Sequence, residues 1–163
     1  MSTVYSIDTS ALVTWYVRRY PPSVFPSLLE RVEGLIGDNR LMASEYVLKE
    51  LGGKRDPLFE WAARQDGFAI RTTAEVASRA AELVAKYPLL VDPSSLRPIQ
   101  ADPFVIALAE SLDRGVVVTQ ETYAKTKTKG KRRNRTYVPD VCRAEGIECI
   151  DFLDMLRREK WTL

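Results

Sequence analysis

The chain has 163 residues with a formal net charge of +2, and 45% of its residues are hydrophobic and 28% are charged. This length predicts a single domain with a core large enough to fold without disulfides or metals, and the composition excludes disordered, collagen-like and coiled-coil chains. There is no histidine, which excludes Ser-His-Asp and Cys-His nucleophile systems and zinc sites that need imidazole. Carboxylates, hydroxyls, lysine and arginine remain as the groups that could do chemistry.

The two cysteines and the apolar runs predict a protein of the cytoplasm. Cys142 and Cys149 match neither a CxxC motif nor a disulfide framework, so we expect buried, reduced thiols. No run approaches the roughly 20 apolar residues of a membrane span. The first eight residues lack the basic and apolar regions of a signal peptide.

Strands and helices are predicted to alternate along the first half of the chain. The apolar run 4–7 predicts a strand that ends at Asp8, and apolar residues at helical spacing predict an amphipathic helix over 25–36. The later elements of this half are a strand at 41–43, helices at 44–51 and 56–64, a strand at 68–70 and a helix that begins at Thr73.

The second half continues the alternation after a proline-containing loop at 88–101. Asp102 is predicted to cap a helix that has Pro103 in its first position and ends at Gly115. The β-branched run 116–119 predicts a strand buried on both faces. A helix from 139, a strand at 147–150 and a final helix capped by Asp151 follow. This order predicts an α/β fold, a three-layer α/β/α domain over residues 1–163 with a mainly parallel central sheet.

A basic segment at 125–135 interrupts the second half. It contains no acidic residue, whereas the rest of the chain holds all 22 acidic residues and fewer basic ones. Such a segment favours contact with a nucleic-acid backbone, and a solvated loop is the alternative. The basic residues of the segment are Lys125, Lys127, Lys129, Lys131, Arg132, Arg133 and Arg135.

Four acidic residues fall where the predicted elements would bring side chains to one edge of the sheet. Asp8 follows the first strand, and Glu121 follows the strand at 116–119. Asp102 begins a helix and Glu50 lies on one, and both helices could pack over the same edge. Four such carboxylates repel one another unless a cation neutralises them, and Mg²⁺ or Mn²⁺ fits oxygen ligands best.

Each of these acids also has a structural interpretation. Asp8 could be a turn residue or a helix N-cap, and Asp102 has the sequence context of an N-cap. Glu50 could be an exposed helical residue, and Glu45 competes with it for any functional role. Glu121 could lie in the first turn of a helix, where an acidic side chain suits the helix dipole.

The acids occur in motifs that resemble those of PIN-domain nucleases, in particular a prokaryotic group similar to VapC-type toxins. A strand ends in Asp before a small hydroxyl residue, a Ser precedes a helical Glu, an Asp opens an alanine-bearing helix, and a buried strand ends in Thr before an acid. These motifs lie at 7–12, 44–51, 102–109 and 117–121. Glu121 stands where the family usually carries Asp, and Asp140 could supply or supplement that position as a metal ligand.

The resemblance implies an endoribonuclease that depends on one or two Mg²⁺ or Mn²⁺ ions. The catalytic, metal-binding residues would be Asp8, Glu50, Asp102 and Glu121, and Ser10 or Thr119 would orient Asp8 or a metal-bound water. RNA would be the substrate, a protein antitoxin would hold the enzyme inactive, and a homodimer is consistent with the resemblance.

Two other functions remain open at this point. The first is a catalytically degenerate module that binds RNA or a protein partner, which the Glu at position 121 keeps open. The second is a phosphoryl-transfer domain of the receiver or haloacid-dehalogenase type, which also has Asp at the end of a strand. The dehalogenase motif needs a second Asp two residues after the first, where this chain has Ser10.

Overall fold

The computed structural model, which describes residues 2–97, 99–127 and 134–163, is built around one parallel sheet. The described strands are β1 (Val4–Ile7), β2 (Leu41–Ser44), β3 (Ala69–Ile70), β4 (Gly115–Val118) and β5 (Cys149–Ile150). They lie in the order β3-β2-β1-β4-β5, so β1 is central. All pairings between these strands are parallel, and Ile7 of β1 pairs with Val118 of β4.

Helices cover both faces of this sheet and connect the strands, which confirms the predicted α/β/α architecture. The first helix continues beyond its α-helical part as a π-helical turn, Thr14–Arg19. Two short 3₁₀ turns lie at Pro88–Leu90 and Ala124–Thr126. The described α-helices are α1 (Thr9–Val13), α2 (Pro26–Gly37), α3 (Glu45–Leu51), α4 (Pro57–Arg64), α5 (Ala74–Lys86), α6 (Asp102–Ser111), α7 (Val138–Glu145) and α8 (Phe152–Arg158).

The buried apolar side chains form one cluster on both faces of the sheet, and α6 packs closely against β1 and β4. Gly115 allows this close approach, because a Cβ atom there would lie only 1.9 Å from the carbonyl oxygen of Ala109. The Ser6 hydroxyl also donates to the carbonyl oxygen of Val105 at 2.8 Å. These contacts hold α6 against β1 and β4.

Several predicted helix starts are confirmed by side-chain caps. Ser44, Asp56, Thr73 and Asp151 each accept a hydrogen bond from a backbone amide in the first turn of the following helix. In each case a short polar side chain at the predicted boundary satisfies an amide that the helix leaves free.

Two predictions about α6 are wrong. The helix begins at Asp102 itself, Ala101 occupies the N-cap position, and the Asp102 side chain makes no capping bond. Gly115 does not end the helix, because α6 ends at Ser111 and Gly115 is the first residue of β4. A proline is accepted anywhere in the first turn of a helix, so Asp-Pro does not by itself decide which residue is the cap.

The helix after Asp8 was absent from the sequence prediction. Over 9–19 the chain buries Ala11, Leu12 and Trp15 but exposes the apolar Val17, so the sequence lacks the contrast between an apolar and a polar face that marks an amphipathic helix. Among the described residues, no helix is both long enough and apolar enough to cross a membrane.

Candidate metal-binding site at the carboxyl edge of the sheet

Three carboxylates meet where β1 and β4 end. Asp8 directly follows β1, Glu121 follows β4 after two residues, and Asp102 opens α6 above the same edge. One oxygen from each lies within 4.8 Å of the others. Asp8 is 2% exposed, and the other two side chains are half-buried. The arrangement follows from the parallel register, which carries the ends of neighbouring strands to one place.

Two hydroxyl groups hold the Asp8 carboxylate in place. Ser10 Oγ donates to Asp8 Oδ2 at 2.8 Å, and Thr119 Oγ1 donates to the same oxygen at 2.7 Å. The hydroxyls in turn accept the backbone amides of Gln120 at 3.0 Å and Glu121 at 3.1 Å. The two hydroxyls therefore connect Asp8 to the loop that carries Glu121. This is consistent with the prediction that Ser10 or Thr119 orients Asp8.

The other two carboxylates are held differently. Glu121 Oε2 accepts the Val138 amide at the start of α7 at 2.9 Å, so the side chain is anchored through one oxygen. The Asp102 carboxylate has no hydrogen bond or ion pair within the described ranges, although it is half-buried. It lies at the N-terminus of α6, where the helix dipole favours a negative charge. Residues 120–123 form no helix, so the interpretation of Glu121 as a first-turn residue is wrong.

Burial and mutual repulsion raise the pKa of all three carboxyl groups. Burial raises the pKa of Asp8, with a contribution from Glu50, against the opposing hydrogen bonds from Thr119 and Ser10. Burial and the charges of Asp8, Glu121 and Glu50 hold the pKa of Asp102 well above its usual range. Burial and the charge of Asp8 raise the pKa of Glu121 to about 7. Positive charge in the cluster would offset this repulsion.

The three residues are close enough together to hold a metal ion. In the part of the chain that the structure describes, no lysine or arginine forms an ion pair with any of them. The donor set consists of carboxylate oxygens only, which is the chemistry that hard divalent cations prefer. The residues present therefore fit a hard cation.

Glu50, the fourth predicted acid, lies beside this cluster with both oxygens engaged. Oε2 accepts the Thr9 hydroxyl at 2.8 Å, and Oε1 accepts the Ala101 amide at 3.0 Å. Oε1 also forms an ion pair with Arg97 at 3.4 Å. Glu50 thereby links the residue after Asp8 to the residue before Asp102. Its competitor Glu45 accepts the Thr72 amide.

Asp140 connects two loops. Its carboxylate accepts the Ala124 amide at 3.1 and 3.2 Å and the Tyr137 amide at 2.9 Å. It therefore joins the segment after Glu121 to the start of α7. The three-carboxylate group does not include Asp140 among the described residues.

A family model described as "Domain of unknown function (DUF4411)" matches residues 5–163. The chain belongs to this family. The match spans Asp8, Asp102 and Glu121, so the carboxylate cluster is within the DUF4411 domain. A search of curated proteins found no match to the chain.

The structure describes three basic residues of the basic segment, and the charges of two of them, Lys127 and Arg135, act on the carboxylates of the DUF4411 domain. Lys127 donates to the Thr122 hydroxyl at 2.7 Å, with its ammonium 4.6 Å from the Tyr137 ring centroid. Arg135 lies over the same ring at 5.8 Å, and its charge opposes the rise in the pKa of Asp102 and Glu121. Lys125 is exposed beside Tyr123. The other predicted contacts, Lys129, Lys131, Arg132 and Arg133, lie outside the described residues.

Sequence reasoning missed Thr9 and Arg97 as parts of this site. Thr9 directly follows Asp8 and Arg97 lies in the proline-containing loop, and no periodic pattern assigns a partner to either residue. The backbone amide of Ala101 also donates to Glu50. A backbone contact of this kind does not depend on the residue type, so the sequence gives no sign of it. The only available signal for Arg97 was its position shortly before Asp102 in the chain.

Proposed function

We propose that this protein is a metal-dependent endoribonuclease that hydrolyses RNA phosphodiester bonds with Mg²⁺ or Mn²⁺ held by Asp8, Asp102 and Glu121. The observation that carries the proposal is the cluster of three carboxylates whose oxygens lie within 4.8 Å of one another. It includes Asp102, whose side chain neither caps its helix nor forms an ion pair with a described residue. A structural role alone does not account for an acid in that position.

The chain's own residues divide the work of such a site. A divalent cation, when bound, lowers the pKa of a water molecule and stabilises charge on the phosphate. Ser10 and Thr119 keep the Asp8 carboxylate in one orientation. Glu50 positions the two residues next to Asp8 and Asp102 in the chain and does so without contributing a free oxygen.

The basic segment supports RNA as the substrate. Lys127 and Arg135 lie close enough to influence the carboxylates and can hold a phosphate backbone beside a site that is itself negative. Backbone contacts carry no sequence information, so they favour a strand of any sequence. The resemblance to PIN-domain nucleases supports the same reaction, and its VapC-like toxin group extends the proposal to a toxin inhibited by a protein antitoxin.

A binding module without catalysis is the second candidate. Glu121 replaces the Asp that the PIN family usually carries, and one of its oxygens already accepts the Val138 amide. Such a module would bind RNA through Lys125, Lys127 and Arg135 and would show no metal-dependent cleavage.

A cleavage assay on mixed total RNA tests the proposal, with purified protein in Mg²⁺, Mn²⁺ or EDTA. We expect cleavage with either metal, none in EDTA, and a loss of about 100-fold or more in Asp8→Asn and Asp102→Asn, because metal catalysis contributes several kcal/mol. Glu110→Gln is the matched control, since Glu110 is an exposed acid near the other end of α6. Cleavage in EDTA, or at the wild-type rate in both Asn variants, would contradict a metal-dependent mechanism.

A further inference from the structure

A cleft begins directly beside the carboxylate cluster. Two adjoining cavities of about 300 Å³ and about 510 Å³ share Glu50, Gly53 and Arg97 in their walls. The smaller cavity is also lined by Tyr46, Lys49 and Ile99, and the larger one extends to Thr9, Arg18 and Lys54. We call the two together the Tyr46 cleft. Because Glu50 binds the neighbours of Asp8 and Asp102, the cleft opens next to those two carboxylates.

The Tyr46 cleft is rich in positive charge. Its basic side chains are Arg18, Lys49, Lys54 and Arg97, and all four are exposed. Its acidic side chains are Glu50, which is bound by Arg97 and two hydrogen-bond donors, and Asp56, which caps α4. Basic side chains therefore outnumber acidic ones in the lining, although Arg97 pairs with Glu50 and Lys49 with Glu45, and this excess of positive charge complements a phosphate.

An aromatic side chain forms part of the smaller cavity. Phe104 of α6 packs against the Tyr46 ring with a centroid separation of 4.3 Å. The Lys49 ammonium lies 4.7 Å from the ring centroid and 3.6 Å from Glu45 Oε1, on an exposed side chain. A nucleobase can displace this ammonium, because base–aromatic stacking is stronger than an exposed cation–π contact.

The Tyr46 cleft and the described basic residues Lys127 and Arg135 follow different neighbours of β1. In the sheet, β2 and β4 lie on either side of β1, which ends at Asp8. Residues Tyr46 and Glu50 follow β2, whereas Glu121 and the basic segment follow β4. A strand that crosses the carboxylates can therefore contact cations on both sides of the phosphate to be cleaved.

We propose that the Tyr46 cleft binds the nucleotides of single-stranded RNA next to the scissile phosphate, with a base on Tyr46 and a backbone phosphate on Arg97. This inference rests on the proposed function and specifies its substrate as single-stranded. Both cavities are of small-ligand size, so they admit an unstacked nucleotide and exclude a duplex. Tyr46 and Arg97 are positioning residues.

Fluorescence anisotropy in EDTA, where the proposed cleavage does not occur, tests this inference with a mixed-sequence 12-nucleotide RNA. Tyr46→Leu should weaken binding about five- to hundredfold, the range for loss of one stacked base, and Tyr46→Phe should keep the wild-type affinity. Arg97→Gln should reduce the slope of log affinity against log salt by about 0.7, as expected for one lost phosphate contact to a single strand. Arg64→Gln is the matched control, because Arg64 is an exposed residue at the far end of α4.

The outcomes separate this inference from the proposed function. Losses confined to Tyr46→Leu and Arg97→Gln, in variants with wild-type circular dichroism, support the cleft even if the protein never cleaves RNA. Wild-type affinity in both variants overturns the cleft even if Mg²⁺-dependent cleavage is observed. Equal affinity for the same RNA annealed to its complement, or equal competition by an oligoglutamate peptide, also overturns it.

Discussion

The surroundings of Glu145 and of the carboxylate cluster shift the pKa values of their acidic side chains in opposite directions. Glu145, at the end of α7, accepts hydrogen bonds from Lys86 at 2.8 Å, from the Tyr87 hydroxyl and from Arg79 at 2.8 Å. These donors lower the pKa of Glu145 to about 2. In the carboxylate cluster, burial and repulsion instead raise the pKa of each acid, that of Glu121 to about 7.

The difference supports the proposal that a cation binds at the carboxylate cluster. Arg79 and Lys86 each form an ion pair with Glu145, so side chains of the protein itself neutralise this carboxylate. Around Asp8, Asp102 and Glu121, the described residues supply hydroxyls and amides but no ion pair. Uncompensated half-buried carboxylates cost stability, and perturbed acids of this kind concentrate at functional sites.

The largest expected effect is stabilisation of the wild-type protein by a divalent cation. At a Mg²⁺ or Mn²⁺ concentration of 100 times Kd, binding to the folded state alone contributes about 2.7 kcal/mol, or about 5–10 °C in Tm for a chain of this size. Asp102→Asn should remove this shift, and Glu145→Gln should retain it. Thermal unfolding with and without metal measures the effect. An equal shift in Asp102→Asn would place the cation elsewhere.

Removal of one hydroxyl that holds Asp8 should have the next largest effect. Thr119→Val loses the hydrogen bond to Asp8 Oδ2 and the acceptor for the Glu121 amide. We expect a loss of about 10- to 100-fold in Mn²⁺ affinity, which is typical when an orienting partner of a metal ligand is lost. Isothermal titration calorimetry measures it. Thr119→Ser keeps the hydroxyl and should keep most of the affinity, so equal losses in both variants would indicate a packing defect.

The positions of Asp8 and Glu121 could be predicted from the sequence, because strand ends are marked by apolar runs. Val4–Ile7 and Gly115–Val118 are buried after their first residue and are mostly β-branched or aromatic, and in a parallel sheet the residues that follow such runs meet at one edge. The family resemblance independently pointed to the same two residues and to Asp102.

The partners of each carboxylate could not be predicted in the same way. From the sequence, the Glu50 carboxylate could bind a cation or accept hydrogen bonds from Thr9 and Ala101, as it does in the structure. The free energies of such arrangements differ by only about 1 kcal/mol per hydrogen bond, which a sequence pattern does not resolve. Arg97 lies in an irregular loop, whose course depends on tertiary contacts. The sequence around Asp102 is that of an N-cap, but the helix begins at Asp102 itself with Ala101 in the N-cap position, and nothing in the local sequence distinguishes the two registers.

The raised pKa values predict that the metal-free protein loses stability as pH rises. A carboxyl group whose folded pKa exceeds its unfolded value stabilises the protein below the unfolded pKa, and this contribution is lost as pH rises through the folded pKa. For Glu121 the window runs from the ordinary value of 4.5 to about 7. We expect a decrease on the order of 2 kcal/mol between about pH 5 and pH 8.

Urea unfolding in EDTA at several pH values measures this decrease. Glu121→Gln removes the titrating group and should flatten the curve over the same window, and saturating Mg²⁺ should restore the wild-type stability at the upper end. A wild-type curve that rises with pH, or identical slopes in wild type and Glu121→Gln, would contradict the raised pKa.

The smallest expected effect is a change in the Tm of the metal-free protein, with opposite signs for substitutions of Asp102 and Glu145. Asp102→Asn removes one of several mutually repelling charges, so we expect a Tm in EDTA at about pH 8 that is equal to or a few degrees above the wild type. Glu145→Gln removes an acceptor shared by Arg79, Lys86 and Tyr87, so its Tm should fall. A Tm that falls in both variants would mean that Asp102 supports the fold as Glu145 does, and that its carboxylate has a partner in the metal-free protein.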